Sequence, residues 1–313
     1  MPAPLPSQPP RITALGKIPS YGDFLRVGSL GPAWQSFDAW VQRGLYAVRQ
    51  VAGATYKARV AQLPPTYVLH STSASVLLGA FRPSTDRVGR MYPFIAGIER
   101  SRAALPTASL PRLPLRWARG LRVCDAVTAE AVADGTTPDG LRRRISDLEP
   151  LPDARAHAVW DKTLHATPVR ALLDGHEATT ADGTVALHAL KALSASRHRP
   201  LRMGVRLPLY PPGQAHELST TAQVVFWLQA IAQVTTTSWE EATVCWSAAP
   251  NAASVLCLLR VPAAYGFPHL LPGARADDHV ADLTEASSPN PDPAVAALLR
   301  DDSATLHDLL HAL

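Results

Sequence analysis

Gly16-Lys17-Ile18-Pro19-Ser20-Tyr21-Gly22-Asp23-Phe24-Leu25-Arg26 packs turn formers, both charge signs and buried-type residues into eleven positions, a mixture that no ordinary helix or strand needs. Pro19 has no backbone donor and a fixed φ, and Gly22 is free to take φ > 0, so the segment reads as a shaped turn entering a Phe24-Leu25 core. It is a built loop, not a linker. The apolar run 12–15 before it reads as a short strand that delivers the chain to the Gly16 turn.

Downstream of the loop, Trp34, Phe37, Trp40, Val41, Leu45 and Val48 recur at spacings of three and four from Pro32, which predicts an amphipathic helix with both tryptophans toward a sheet. After Pro64-Pro65, residues 67–70 and 76–81 read as strands, and beyond the loop 83–90 so do residues 92–98. That loop is short, so the last two strands are expected to pair antiparallel. Between about 100 and 221 alanine and arginine dominate. Helices are expected there over 125–133, 138–148 (Thr137 as N-cap, Pro138 in the first turn), 156–165 and 185–193, with a strand over 202–209 ended by Pro211-Pro212-Gly213. Val224, Val225, Trp227, Leu228, Ile231 and Val234 predict a core-facing helix from Thr220 or Thr221, followed by a hairpin of strands 242–247 and 254–260 joined by 248–253.

Strands and helices mixed in this order, with hairpins in place of regular βαβ units, predict an α/β fold: an antiparallel or mixed β-sheet with helices packed on its faces. Three regions are expected. Residues 1–10 form a disordered Pro-rich leader, 11–272 an α/β domain with an expanded helical middle over about 100–221, and 273–313 an acidic, Ser/Pro-rich linker and a helical tail that docks on the body.

The first loop block, G-K-x-P-x-x-G-D-F in outline, resembles the opening signature of the TagF/ImpM family, which is associated with bacterial type VI secretion. Trp34-Gln35-Ser36-Phe37-Asp38-Ala39-Trp40-Val41-Gln42 resembles the family's F-x-x-W-D-x-W-L-Q region, with Phe37 directly before Asp38 here. Pro83-Ser84-Thr85-Asp86-Arg87-Val88-Gly89-Arg90-Met91-Tyr92-Pro93-Phe94 is similar to the S-x-D-x-V-G-R-x-[YF]-P-[FL] block. Val244-Cys245-Trp246-Ser247 and Phe267-Pro268-His269-Leu270-Leu271 are like the closing hairpin and F-x-x-L-L, with Cys245-Trp246 in place of a Trp-Trp pair.

The resemblance implies a cytoplasmic accessory factor that acts after translation to hold the secretion apparatus inactive. The expected partner is the forkhead-associated scaffold protein of that apparatus, held by sequestration. It also marks Gly16, Lys17, Pro19, Gly22, Asp23, Phe24, Arg26, Asp86, Arg87, Gly89 and Arg90 as signature-loop, protein-binding residues. A structural component of the apparatus and, less favoured, a hydrolase are the alternatives.

Composition narrows the classes. With 313 residues, 47% hydrophobic and 18% charged, the chain has ample apolar material for a core. No apolar run approaches membrane length, and no basic stretch precedes an apolar one near the start, so membrane insertion and export are not expected. Cys124, Cys245 and Cys257 have no C-x-x-C spacing, which argues against a disulfide framework or a zinc site. The net charge of +4 comes from 30 basic against 26 acidic residues. Its arginine runs, such as Arg142-Arg143-Arg144, carry no interleaved aromatics, so nucleic acid is not an expected partner.

Catalytic patterns fail one by one. Gly28-Ser29-Leu30-Gly31 lacks the register of a G-x-S-x-G elbow, and Gly16-Lys17 lacks the glycine spacing of a phosphate-binding loop. His307 and His311 share one helical face, which is half a zinc site. No catalytic, metal or cofactor residue is assigned, although convergence of Asp23, Asp86, His70 and His307 would revive a hydrolase. In the two loops, Asp23 is expected to satisfy donors of its own turn and to take Arg87 or Arg90 in a bidentate ion pair, with the loops side by side at one end of the sheet.

Overall fold

A computed structural model of the protein describes residues 10–105, 107–173, 180–195, 204–209, 218–235, 239–249, 253–259, 264–274, 277, 279–283 and 291–313. Its strands are β1 (Ile12–Gly16), β2 (Leu25–Val27), β3 (Thr66–Ser71), β4 (Ser75–Arg82), β5 (Phe94–Ser101), β6 (Gly204–Pro208), β7 (Thr243–Ser247), β8 (Ser254–Leu258) and β9 (Val280–Asp282). They form one sheet in the order β2-β1-β5-β4-β3-β7-β8-β6-β9. Every pairing is antiparallel except β6 with β9, so the sheet is mixed. The β4–β5 pair is the antiparallel hairpin that the short loop predicts.

One face carries α1 (Pro32–Ala52) and α2 (Tyr56–Ala61). The other carries α3 (Leu113–Arg116), α4 (Ala118–Val132), α5 (Pro138–Ser146), α6 (Ala156–Ala166), α7 (Arg170–Leu173), α8 (Thr180–Ala195), α9 (Thr220–Val234), α10 (Pro293–Arg300) and α11 (Leu306–Ala312). The two faces explain why β4 reads as a continuous apolar run rather than an alternating one. Val76, Leu78 and Ala80 enter the multi-helix core, while Leu77 and Phe81 enter the core under α1. Trp34, Phe37 and Trp40 of α1 are fully buried there, as the periodicity predicts.

Helix α1 begins at Gly31, which offers no side-chain cap. Its cap comes from β5: the Glu99 carboxylate accepts hydrogen bonds from the amides of Gly31 (3.0 Å) and Ala33 (2.8 Å) and from the Ser75 hydroxyl. Those donors have no partner within the helix, and an anion there also meets the positive end of the helix dipole.

Besides the short helices α2, α3 and α7, which were not expected, and α8, which starts at Thr180 rather than 185, four elements differ from expectation. Helix α4 starts at Ala118, because Gly120, Leu121 and Cys124 continue its buried face between exposed arginines. Strand β5 starts at Phe94 because the Tyr92 amide turns back to the Ser84 carbonyl (3.0 Å). The three-residue strand β2 was not expected at all. Inside the stretch expected to be a linker, Val280 and Ala281 are buried and Asp282 pairs with Arg206 of β6 at 2.9 Å, which makes 280–282 the ninth strand. Helices α10 and α11 dock on the body through Val295, Leu306, Leu309 and Leu310. The leader apart from Pro10, Arg202, Pro211-Pro212-Gly213, positions 250–252 of the hairpin connection and 284–290 of the linker lie outside the described residues.

Candidate functional site

Two connections meet at one end of the sheet: the loop from β1 to β2 and the loop from β4 to β5. Their backbones come close at Gly16, whose φ is +152° and where a Cβ would sit 2.4 Å from the Pro93 carbonyl oxygen and 2.5 Å from the Phe94 Cα. Only glycine fits that contact. Pro19 then sets a tight turn in which the Tyr21 amide donates to the Ile18 carbonyl (3.1 Å). The positive φ expected at Gly22 is not there; in the second loop Gly89 has it, at +78°. That conformation lets the Gly89 amide donate to the Asp86 carbonyl (2.8 Å) and the Asp86 amide to the Arg90 carbonyl (3.1 Å).

Asp86 is the hub of both loops. Its side chain is fully buried. Oδ1 accepts from the amides of Val88 (3.1 Å) and Arg90 (2.8 Å), and Oδ2 accepts from Lys17 Nζ (2.9 Å) and Arg90 Nε (2.6 Å). Burial by itself raises the Asp86 carboxyl, but hydrogen bonds from Lys17 and Arg90 outweigh it and hold the group well below the usual carboxylate range. Three further bonds cross between the loops. The Ser84 hydroxyl donates to the Lys17 carbonyl (2.7 Å), the Arg87 amide to the Tyr21 carbonyl (3.0 Å), and Arg90 Nη2 to the Gly22 carbonyl.

The ion pair is therefore on Asp86 and not on Asp23. The Asp23 carboxylate takes the amide of Phe24 (2.7 Å) and otherwise faces solvent. The physical reason is burial: an enclosed carboxylate has lost its water and must be compensated by cations and amides, whereas an exposed one need not be. Lys17 is buried as well, at 6% exposure, so neither charge of that pair belongs to the outer surface. The residues that do face outward are Asp23, Phe24, Arg26, Arg87, Val88 and Arg90. Leu25 enters the core alone, since Phe24 remains 42% exposed, resting edge-on against Tyr92 (ring centroids 4.9 Å apart).

Tyr92 ties this end of the sheet to α1. Its hydroxyl donates to Asp38 Oδ1, and Asp38 Oδ2 accepts from Gln42 (2.8 Å). Burial, with the Asp38 charge beside it, pushes the Tyr92 phenol far up. Asp38, Ser84 and Tyr92 were not among the expected site residues, although all three stand within the motif blocks.

Compared with known families, residues 13–148 match the TagF N-terminal domain, described as type VI secretion system-associated. Residues 13–148 are a TagF N-terminal domain. The TagF domain contains β1 to β5 and α1 to α5, and all eleven signature-loop residues lie inside it. No curated protein matches the chain. Among solved structures, the chain is similar to PA0076 from Pseudomonas aeruginosa PAO1, at 15% identity and a TM-score of 0.48, over 85% of this chain and 96% of that one.

The other titratable residues do not converge on the TagF loops. His70 lies in β3 with Nδ1 2.7 Å from the Thr243 hydroxyl and its ring 5.6 Å from that of Phe37, on the α1 face. Burial pushes it down to about 4. His307 and His311 share one face of α11, as their spacing predicts, but that helix is on the opposite side of the sheet, where the His307 ring lies tilted against that of His165 (centroids 3.9 Å apart). Among the described residues no set of His, Cys, Asp or Glu side chains is arranged to hold a metal ion. A cavity of about 100 Å³ at the edge of the TagF domain is lined by Thr66 of the domain and by Arg206, Cys245, Ser247, Ser254 and His269 beyond it. There His269 Nε2 is 3.0 Å from Asp277, no hydrogen bond joins the ring to either serine, and burial pushes the Cys245 thiol far up, away from its reactive thiolate form.

Proposed function

We propose that this chain is an accessory protein of the bacterial type VI secretion system that acts in the cytoplasm, after translation, as a negative regulator. It binds the forkhead-associated scaffold protein of the apparatus and lowers the free pool of scaffold able to assemble. The reading rests chiefly on the TagF N-terminal domain over residues 13–148, described as type VI secretion system-associated.

The loop geometry suits a binding role. Loops cross-linked through a buried Asp86 are already ordered, so they lose less conformational entropy on docking than flexible ones. The proposed work is recognition through an apolar centre and a polar rim, with no bond broken and no cofactor or nucleic acid required. No helix among the described residues is long and apolar enough to cross a membrane.

A chromosomal deletion combined with a pull-down on the tagged chain tests this. A negative regulator predicts that secretion rises on deletion and that the scaffold protein is recovered with the chain. Loss of secretion, with the chain in stoichiometric complex with the assembled machine, is the outcome for a structural component and sinks the regulatory reading.

A further inference from the structure

The outer face of the TagF loops is specific enough to describe what it docks against. We propose that Phe24, Val88 and Arg90 are the contact centre for an acidic patch on a partner protein, in which an apolar recess receives Phe24 and Val88 and a carboxylate pairs with the Arg90 guanidinium. This deepens the binding reading given above and rests on it.

Two apolar side chains stand out from the loops, Phe24 at 42% and Val88 at 67% exposure. Both hang from the Asp86 hub. Lys17 Nζ is 2.9 Å from Asp86 and 5.1 Å from the Phe24 ring centroid, while the Val88 amide is 3.1 Å from the same carboxylate. Neither side chain is needed to close the core, which already holds Leu25 and Ile18. Aromatic and arginine side chains held rigidly are the usual material of binding hot spots, and an exposed apolar neighbour such as Val88 keeps water from them.

Arg90 supplies direction. Its Nε is held by Asp86 and its Nη2 by the Gly22 carbonyl, yet its side chain is 60% exposed. Nη1 has no partner among the described residues. An arginine held at two points on its inner edge offers its outer edge to a carboxylate with little rotamer entropy left to lose. Arg87 is exposed in the second loop and Arg26 in β2, directly after the first. Counting Lys17, Arg26, Arg87 and Arg90 against Asp23 and Asp86, the two loops and β2 together carry a net +2. That charge steers an acidic partner and opposes docking of a second copy through the same face.

The test is binding of the purified chain to the purified forkhead-associated scaffold. V88S touches only an exposed side chain and is the cleanest variant; F24A and R90K probe the aromatic and the fork. Each is expected to weaken binding about tenfold. R87Q should lower affinity less and flatten its dependence on salt, and V159S, on exposed Val159 of α6 across the sheet, should change nothing. If the wild-type chain binds the scaffold and V88S, F24A and R90K bind equally well, this inference fails while the regulatory reading stands.

If the wild-type chain does not bind the scaffold, that partner is wrong, and a photoreactive residue at position 88 in the producing strain decides the inference. Crosslinking to an Asp/Glu-rich protein segment supports it. Crosslinking to a basic segment, a phosphorylated residue or nucleic acid overturns it, as does no adduct at 88 when one forms at 159.

Discussion

Lys17 Nζ lies 2.9 Å from Asp86 Oδ2, joining residues 69 positions apart whose side chains are 8% and 0% exposed. Removing one partner of such a pair leaves the other charged and dry, which costs far more than the pair itself contributes. Asp86→Asn should therefore lower the thermal midpoint on the order of 10 °C. Asp23→Asn, at an exposed carboxylate that holds a single neighbouring amide, should leave it within about 2 °C. Calorimetry of the two variants side by side checks this. Equal losses would return the ion-pair role to Asp23.

His70 gives the folded state a dependence on pH. Burial pushes it down to about 4 from an ordinary value of 6.5. A histidine held neutral in the fold binds its proton more readily when unfolded, so stability increases with pH across that interval. Its contribution is full above about 6.5 and is lost as pH falls toward about 4, a change of roughly 3 kcal/mol. The carboxyl of Asp86 is also held low, so its contribution is lost only below its ordinary value of 3.8, and the two windows separate. His70→Gln should remove most of the slope between 6.5 and 4 in urea titrations, whatever it does near neutrality, leaving the smaller part due to His157 and His307, which are also held low. A slope undiminished in the variant would assign the titration to other groups.

Two glycines of the first loop are expected to behave in opposite ways. At Gly16 a Cβ would collide with backbone of the second loop, at 2.4 Å from the Pro93 carbonyl oxygen, and neither strand can give way without opening the sheet. At Gly22 the φ is ordinary and the nearest atom is the end of the Arg87 side chain, 3.6 Å off. Gly16→Ala should cost about 2–4 kcal/mol and Gly22→Ala within about 0.5 kcal/mol. Equilibrium unfolding in urea measures both. A Gly22→Ala cost as large as that at Gly16 would contradict the loop geometry.

The same contrast shows what can be read from residue order. The α/β sheet is legible because strands covered on both faces leave unbroken apolar runs, as at 76–81 and 244–246, and α1 because its tryptophans keep helical spacing. Strands β2 and β9 have three residues each, too few for alternation to show. The loops are legible as shaped turns, but not which aspartate anchors them. Asp23 and Asp86 both sit among glycines and arginines, and only the enclosure of Asp86 between the two loops distinguishes them. The exposure of Phe24 beside a buried Leu25 is likewise a tertiary outcome, since Tyr92 and the Lys17 ammonium cover part of the ring and solvent the rest.

Glu99 is the least legible of these residues, since the amides it caps are 68 and 66 positions away. Gly31 brings no side chain to the start of a 21-residue helix, so Glu99→Ala leaves the Gly31 amide and the Ser75 hydroxyl without their acceptor and the Ala33 amide with the Ser75 oxygen alone, at 3.0 Å. The expected loss is about 1–2 kcal/mol, in the range of a removed N-cap. Glu99→Gln keeps one acceptor oxygen, for Ala33 and Ser75, but turns its amide nitrogen toward the Gly31 amide and gives up the charge facing the helix dipole, so it should cost less than Glu99→Ala and be less sensitive to salt. Because α1 also carries Asp38, the partner of Tyr92, loosening its first turn in Glu99→Ala should raise hydrogen exchange in the amides of 84–92 as well as 31–36. Exchange confined to 31–36 would mean that the cap serves the helix alone and that the second loop is held by Asp86 without help from α1.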